Sequence, residues 1–271
     1  MNQYASPLRG LIVVKYGGNA MPAGDEPDPL LREVADLWRT GSKIVIVHGG
    51  GPEIDRWLAL RGVTTERIDG LRVTNAVTLE TTEAVLCGTM NKRIVRACGA
   101  LGIPAVGISG EDARTLIAER ATSASGADLG FVGSVVGCNI KLVQTLLEYG
   151  FLPVVAPLAV DNDSSTAYNV NADLAAGALA AALNASAFIA VTNVPRIRRD
   201  PDDPSSGIDR LTLDEARAFL ASDACRSSMK PKLEAAIASV EGGAANAYIC
   251  DAQPGAIRNA LVKGDATIVA A

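Results

Sequence analysis

Two short apolar runs near the start of the chain each end in glycines. Residues 11–16 (LIVVKY) lead into the glycines at 17–18, and residues 43–47 (KIVIV) lead through His48 into those at 49–51. Between them, the apolar side chains within residues 31–38 follow helical spacing. Buried runs that end in glycine turns and alternate with helices predict a parallel sheet whose first two turns lie at one edge.

The same alternation continues to the end of the chain. Strands are expected at residues 104–109, 151–156, 188–191, 246–250 and 266–269. Helices are expected at residues 53–60, 77–99, 140–148, 174–183, 213–220, 233–240 and 254–261. Hairpins are expected at residues 62–74 and 114–136, and loops at residues 21–27 and 196–207. The pattern therefore predicts an α/β protein, and no tandem repeat is evident in the sequence.

Composition narrows the class of partner. The 271-residue chain carries a net charge of −5, which disfavours nucleic acid because phosphate backbones require basic surface. The apolar run at 174–191 is mostly alanine and no signal peptide is recognised, so we expect a soluble protein without membrane spans. Five scattered cysteines indicate reduced thiols and a cytoplasmic location. His48, the only histidine, is interpreted as structural, and no protein metal site is predicted.

The two glycine turns together predict an anion site. Gly17, Gly18, Gly49 and Gly50 lack side chains, so a ligand could approach their N–H groups near helix N-termini. Lys15 would lie at the carboxyl end of its strand, where open α/β sheets bind ligands. A purely structural turn is the alternative. Three consecutive glycines cost conformational entropy that a turn does not require, which favours the anion site.

Polar residues further along the chain could complete this site. Arg72 could hold a carboxylate with two hydrogen bonds, or it could be an ordinary surface arginine. Lys230 and Lys232 flank the proline at a predicted helix entry. They could bind phosphate there, or they could form a solvated pair. Two amides and a carboxylate, more than one helix cap requires, alternate into another helix: Asn169, Asn171 and Asp173.

This set of charges fits phosphoryl transfer. No nucleophilic Ser/His/Asp set, metal-ligand cluster or GxxxxGK[ST] motif is present in the sequence. Phosphoryl transfer requires positioning and the neutralisation of oxygen charge more than covalent chemistry by the protein. A carboxylate acceptor is already ionised, so no general base would be needed.

Five motifs in order resemble the amino acid kinase family, and within it they most resemble the acetylglutamate kinases. The motifs are VKYGGNAM (14–21), VHGGGPEID (47–55), GLRVTNAVTLE (70–80), NVNAD (169–173) and MKPKLEA (229–235). The resemblance covers nearly the whole chain. It implies a three-layer αβα sandwich with an open, mainly parallel central sheet, an acyl-amino-acid-binding lobe at residues 1–184 and an ATP-binding lobe at residues 185–271.

The resemblance also implies a reaction and its residues. The reaction would be ATP-dependent phosphorylation of the side-chain carboxylate of N-acetyl-L-glutamate, a step of arginine biosynthesis. Lys15 and Lys232 would neutralise the transferring phosphoryl group, and Asp173 would orient both lysines. The acceptor would contact Gly49, Gly50, Arg72, Asn169 and Asn171. ATP and its phosphates would contact Gly17, Gly18, Thr192, Asn193, Met229 and Lys232. Mg²⁺ would be bound by the nucleotide phosphates.

The predicted nucleotide lobe departs from the family pattern at three places. Asn193 stands where Asp is common, and Arg196 stands where Gly usually follows the proline. Ser227 and Ser228 replace the paired glycines that usually precede the methionine. These departures put the details of ATP binding and turnover in question and leave the reactive residues intact.

Two other functions stay open at this stage. The Asn-Val-Pro and Met-Lys-x-Lys runs also resemble kinases of lysine biosynthesis that act on α-aminoadipate carried by a small acidic protein. A kinase for carrier-linked or N-acetylated α-aminoadipate is therefore the first alternative, and it predicts a basic rim around the substrate mouth. A non-catalytic amino-acid sensor is the second alternative, which the presence of Lys15, Asp173 and Lys232 disfavours. The chain lacks the long N-terminal helix of the arginine-inhibited hexameric enzymes, so a homodimer is expected.

Overall fold

Strands and helices alternate through the part of the chain that the computed structural model describes, namely residues 10–17, 28–163, 166–226 and 228–271. The strands are β1 (Leu11–Tyr16), β2 (Lys43–His48), β3 (Arg67–Ile68), β4 (Leu71–Arg72), β5 (Ala105–Ser109), β6 (Ile117–Thr122), β7 (Asp128–Gly137), β8 (Leu152–Ala156), β9 (Leu158–Val160), β10 (Ala167–Val170), β11 (Ala187–Val191), β12 (Arg210–Thr212), β13 (Ala247–Cys250) and β14 (Thr267–Ala270). The helices are α1 (Pro29–Arg39), α2 (Gly51–Leu60), α3 (Ala76–Glu83), α4 (Asn91–Ala100), α5 (Lys141–Glu148), α6 (Ala172–Ala182), α7 (Leu213–Leu220), α8 (Lys230–Glu241) and α9 (Ala256–Lys263).

Eight of the described strands form one open sheet in the order β12-β14-β13-β11-β1-β2-β8-β5. Its neighbours pair in parallel, except that β13 and β14 are antiparallel. Strand β1 lies near the centre, between β11 and β2, because its apolar side chains are buried on both faces. The predicted open, mainly parallel sheet is therefore confirmed.

Helices cover both faces of the sheet. Along β1, Val13 packs in a core with Leu179 of α6 and Leu233 of α8. Its neighbour Val14 points to the opposite face and packs in a core with Val34 of α1. Successive side chains of a strand alternate between faces, so one buried strand serves two helical layers. The three-layer αβα arrangement is confirmed.

The predicted division into residues 1–184 and 185–271 falls in the turn between α6 and β11. Strand β11 pairs directly with β1, and Phe188 lies opposite Val13. The central sheet is therefore continuous across this boundary. The division into an acceptor lobe and a nucleotide lobe stays a prediction about function.

The other described strands lie outside the central sheet. Strands β6, β7, β9 and β10 form a small closed barrel, and β3 and β4 form a two-stranded hairpin. The hairpins at residues 62–74 and 114–136 are confirmed. The pattern did not predict β9, β10 or β12: β9 and β12 have three residues each, and the polar side chain of Asn169 interrupts the apolar positions of β10.

The helix predicted at residues 77–99 is interrupted by a change of helix type. It consists of α3, a π-helical segment (Ala84–Met90) and α4. Hydrophobic spacing cannot distinguish one widened stretch from a regular helix of the same length. The segment brings Leu86 and Met90 against Gly50, where an added Cβ would lie 2.7 Å from Leu86 Cδ2 and 3.2 Å from Met90 Cγ. Within the described residues, no helix is long and apolar enough to cross a membrane.

Gly177 lets α6 and α8 approach closely. A Cβ added there would lie 2.6 Å from the carbonyl oxygen of Ala235 and 3.0 Å from its Cα. This contact lies about one helical turn along from Asp173 on α6 and from Lys232 on α8. The glycine therefore sets how near those two side chains can come.

We expect Gly177→Ala to lower the free energy of unfolding by about 1–3 kcal/mol, because backbone atoms must move apart to admit the methyl group. Gly99→Ala is the matched control. Gly99 also lies in a helix, but nothing lies within 4 Å of its added Cβ, so a gain of about 0.4–1 kcal/mol is expected. Urea denaturation of both variants measures the difference. Equal gains in both would refute the close helix contact.

Candidate active site

The first two glycine turns meet at the carboxyl edge of the sheet. Gly17 follows β1, and a Cβ added there would lie 3.0 Å from the nitrogen of Gly49, which follows β2. The N–H of Gly49 donates to the carbonyl oxygen of Tyr16 (2.8 Å). The expectation that this N–H binds an anion is therefore wrong, because the turn itself uses it. Gly18 lies outside the described residues.

The N-terminus of α2 supplies donors beside this turn. Helix α2 begins at Gly51, with Gly50 as its N-cap residue and no side chain capping it. The first N–H groups of a helix have no partner within the helix and carry the positive end of its dipole. We therefore expect the N–H groups of Gly50 and Gly51 to favour an anion at this end of the helix.

Three charged side chains meet next to these turns. Asp173 lies between two lysines: Oδ1 is 3.1 Å from Lys15 Nζ, and Oδ2 is 3.2 Å from Lys232 Nζ. The side chains of Lys15 and Asp173 are each 8% exposed, and that of Lys232 is 17% exposed. Oδ1 has no well-aligned hydrogen-bond donor, so Lys15 is held mainly by charge. The structure thus brings together the three residues predicted to be catalytic.

Two of these three side chains are positioned by the first turn of a helix. Asp173 lies in the first turn of α6, and the side-chain oxygen of Asn171 caps this helix by accepting from the N–H groups of Asp173 (2.8 Å) and Leu174 (3.3 Å). Lys232 lies in the first turn of α8. Its companion Lys230 is exposed to solvent, so only one member of the predicted lysine pair reaches the site.

Burial makes this cluster receptive to negative charge. Burial lowers the pKa of Lys15, the charge of Asp173 opposes that change, and the repulsion by Lys232 adds to it. Two protonated lysines and one carboxylate leave a net charge of +1. An anion that binds between the lysines would supply the charge that the cluster lacks.

A cavity of about 240 Å³ opens from Lys15 and Asp173 toward the β3–β4 hairpin. Arg72, Asn169 and Asn171 line it, as do Gly49 and Gly50. Every residue predicted to bind the acceptor therefore lies around one space. The side chain of Asn169 is oriented by the hydroxyl oxygen of Thr74, to which its Nδ2 donates (3.2 Å).

A second cavity, of about 220 Å³, lies in the predicted nucleotide lobe. Val194 and Met229 line it together with Phe219, Arg198 and Arg226. Thr192 and Asn193 follow β11 at the same sheet edge as Gly17 but do not line this cavity. Met229 lies three residues before Lys232, so the start of α8 connects the second cavity to the charged cluster.

The departures from the family pattern lie around this second cavity. Arg196 lines it, and its guanidinium pairs with Asp209 (2.9 Å) and Asp265 (2.7 Å). Ser228 also lines the cavity, and Ser227 lies outside the described residues. The arginine at 196 is therefore held in place by two carboxylates.

His48 has the structural role that the sequence indicated. It is fully buried, its Nδ1 lies 3.0 Å from the carbonyl oxygen of Gly49, and its Nε2 lies 3.2 Å from the amide nitrogen of Asn91. Burial lowers its pKa to about 4. The imidazole is therefore neutral at pH 7 and links β2 to α4.

Two site residues were missed by the sequence analysis: Asp55 and Arg67. Asp55 pairs with both Arg67 (3.1 Å) and Arg72, and Arg67 lines the same cavity as Arg72. The Asp69-Gly70 dipeptide is a signal that could have found Arg67. A two-residue hairpin turn at this dipeptide places residues 67 and 72 directly opposite each other.

The chain belongs to the amino acid kinase family, whose pattern matches residues 10–251. It is 42% identical to an acetylglutamate kinase of Thermoanaerobacter sp. over 240 residues, which are 89% of this chain and 79% of the relative. It is 40% identical to an acetylglutamate kinase of Petrotoga mobilis, covering 98% of this chain and 90% of that one.

Solved structures with the same fold are more distant in sequence. N-acetylglutamate synthase from Neisseria gonorrhoeae superposes with a TM-score of 0.80 at 22% identity, over 97% of this chain and 59% of the synthase. Carbamate kinase from Giardia lamblia superposes with a TM-score of 0.73 at 18% identity, over 96% of this chain and 98% of the kinase. These similarities confirm the fold.

Proposed function

We propose that this protein transfers the γ-phosphoryl group of ATP to the side-chain carboxylate of N-acetyl-L-glutamate, which yields an acyl phosphate and ADP. The observation that carries the proposal is the buried cluster of Lys15, Asp173 and Lys232. It lies at the inner end of the first cavity and is joined by the start of α8 to the second. The similarity to acetylglutamate kinases over most of the chain supports the choice of acceptor.

The chemistry needs no proton transfer. A carboxylate oxygen of the acceptor forms a bond to the γ-phosphorus, and the bond from that phosphorus to the bridging oxygen of ADP breaks. Negative charge spreads over the phosphoryl oxygens and the leaving oxygen during transfer. Lys15 and Lys232 stabilise this charge, and Asp173 holds both ammonium groups in place. His48 has no role as a base in this proposal, because it is fully buried and its ring nitrogens contact Gly49 and Asn91.

The first cavity is the acceptor site in this proposal. Arg72 binds the α-carboxylate, and Asn169 and Asn171 contact the acyl amino acid with their amide groups. The oxygen of Asn171 caps α6, so its NH₂ group is the part that serves the acceptor. Gly50 and the start of α2 supply N–H groups to an acceptor or phosphoryl oxygen. A volume of about 240 Å³ suits a small ligand.

The second cavity is the nucleotide site in this proposal. Val194, Phe219 and Met229 provide apolar contacts for the base, and Thr192 and Asn193 lie near the phosphates. Gly17 lets the phosphates approach the first turn closely, and the phosphate-binding role of Gly18 stays a prediction from the sequence. Mg²⁺ bound to the phosphates would offset their charge. Among the described residues there is no group of three His, Cys, Asp or Glu side chains that could hold a metal ion.

The test is ADP release with hydroxylamine trapping of the acyl phosphate. N-acetyl-L-glutamate should give trapped product, and the rate without acceptor should be negligible. N-acetyl-L-α-aminoadipate is one methylene longer, which predicts a kcat/KM lower by a factor of about 10 or more. A preference for the longer acceptor would refute the proposal in favour of an aminoadipate kinase. Turnover with neither would point first to a carrier-bound acceptor and then to a sensor.

The homodimer stays a prediction, which sedimentation measures.

A further inference from the structure

The β3–β4 hairpin places two arginines side by side. Its two-residue turn, Asp69 and Gly70, has positive φ angles of 52° and 79°, as tight hairpins of this type require. Arg67 and Arg72 are therefore direct cross-strand partners whose side chains leave the hairpin on the same face. The carboxylate of Asp69 accepts from the N–H of Ala124 (3.0 Å), which fixes the tip of the hairpin to the barrel.

A single carboxylate from α2 joins these arginines. Oδ1 of Asp55 accepts from Arg72 Nη1, and Oδ2 accepts from Arg67 Nη2 (3.1 Å). Arg72 also donates to the carbonyl oxygen of Gly51 (3.3 Å), at the start of the same helix. Burial raises the pKa of Asp55, but the hydrogen bond from Arg72 and the charges of both arginines outweigh it and leave the pKa lowered. Asp55 is thus ionised at neutral pH.

The two guanidinium groups differ in depth within the cavity. The side chain of Arg72 is 5% exposed, and that of Arg67 is 47% exposed at the mouth. Both line the cavity that contains Lys15 and Asp173. Two guanidinium groups and one carboxylate leave a net charge of +1, and each guanidinium has five N–H donors, more than Asp55 and Gly51 can use. This pair can therefore accept one further carboxylate.

We propose that Arg67 is a second acceptor-binding residue, which holds the α-carboxylate of the acyl amino acid together with Arg72, and that Asp55 is the positioning residue that keeps the two guanidinium groups side by side. This inference rests on the proposed function, which assigns the α-carboxylate to Arg72. A carboxylate has about four lone-pair sites, so one α-carboxylate satisfies donors from both arginines. The site thereby selects acceptors with two carboxylates, one to bind and one to react.

The first experiment removes the charge of Arg67 and keeps its stem. Arg67→Met should raise the KM for N-acetyl-L-glutamate about 10-fold or more, and kcat and the KM for ATP should change less than twofold. Arg67→Lys should recover part of the loss. Arg56→Met is the matched control, because Arg56 lies on α2, pairs only with Glu53 among the contacts described and does not line the cavity. It should leave every constant unchanged.

A change in the acceptor separates binding from a structural effect. N-acetylglutamate with an α-carboxamide in place of the α-carboxylate should be a poor acceptor for the wild-type protein. Arg67→Met should reduce the ratio of kcat/KM for N-acetyl-L-glutamate to kcat/KM for the carboxamide about 10-fold. An unchanged ratio, or an unchanged KM for N-acetyl-L-glutamate, would refute the role of Arg67.

The direction in which the acceptor KM changes in a second variant, Asp55→Asn, tests the role of Asp55. In Asp55→Asn the repulsion between the arginines is no longer offset, Arg67 turns to solvent, and the acceptor KM should rise while kcat is kept. If Asp55 instead competed with the acceptor for Arg72, the KM would fall, which would refute the positioning role. Calorimetric binding of N-acetyl-L-glutamate to the wild type and to Arg67→Met is independent of turnover. If the protein releases no ADP but binds N-acetyl-L-glutamate more weakly as Arg67→Met than as the wild type, the proposed function is refuted and the role of Arg67 in binding stands.

Discussion

Lys232→Ala is expected to lower kcat by about 10²–10³-fold and to leave the KM for the acceptor nearly unchanged. The ammonium group of Lys232 reaches Asp173 from the start of α8, three residues after Met229, which lines the second cavity. In the proposed reaction it meets charge that develops during transfer, and the loss of one such preorganised donor costs about 3–4 kcal/mol of transition-state stabilisation. Steady-state kinetics with N-acetyl-L-glutamate and ATP measures both constants.

Lys230→Ala is the control for this variant. Lys230 lies two residues earlier on the same helix, on the other side of the proline, and its side chain is exposed. The two variants remove the same charge from the chain, so a difference between them reports position and not net charge. Equal kcat in Lys232→Ala and the wild type would refute the catalytic role of Lys232.

Asp173→Asn is expected to lower both stability and activity. The substitution leaves two buried ammonium groups without their shared carboxylate, and breaking a buried ion pair in this way costs about 3–5 kcal/mol of unfolding free energy. Urea denaturation measures the loss. Asp214→Asn is the control, because Asp214 also lies in the first turn of a helix but its side chain is 94% exposed. Its effect should be below about 1 kcal/mol.

The same variant has a pH signature that loss of stability alone does not produce. In the proposed mechanism the active form contains protonated Lys15, so we expect activity to fall as pH rises through the pKa of that lysine. Burial already lowers this pKa, and Asp173 opposes the change. Without the carboxylate the pKa falls further, so the alkaline limb of kcat should move to lower pH in Asp173→Asn. An alkaline limb at the wild-type pH would contradict the proposed coupling between the two residues.

Much of the local structure was predictable, because it depends on neighbours in the chain. The runs at 11–16 and 43–47 lie in strands that end in glycine turns, and the helix at 213–220 has the predicted bounds. Asp28 caps α1 by accepting from the N–H of Leu31 (2.8 Å), a role that an Asp-Pro pair at the start of a helix favours. Each of these features follows from turn chemistry or from a period within about ten residues.

The different contacts that Asn169, Asn171 and Asp173 make were not predictable. The spacing showed that three polar groups were too many for one cap. It could not show that Asn171 caps the helix, that Asn169 bonds to Thr74 and that Asp173 faces two lysines. Thr74 lies 95 residues from Asn169 in sequence. Such partners depend on how the barrel packs over the sheet edge, which no local period records.

The sequence by itself determined the order of strands and helices, the glycine turns and the identity of the charged residues. Only the tertiary structure decided which charges meet. In the folded chain the N–H of Gly49 donates to a backbone carbonyl, and Asp173 lies between Lys15 and Lys232. Asp55 pairs with two arginines of the hairpin. The physical reason is that burial and ion pairing act over a few ångströms, and packing brings residues that are distant in the chain within that range.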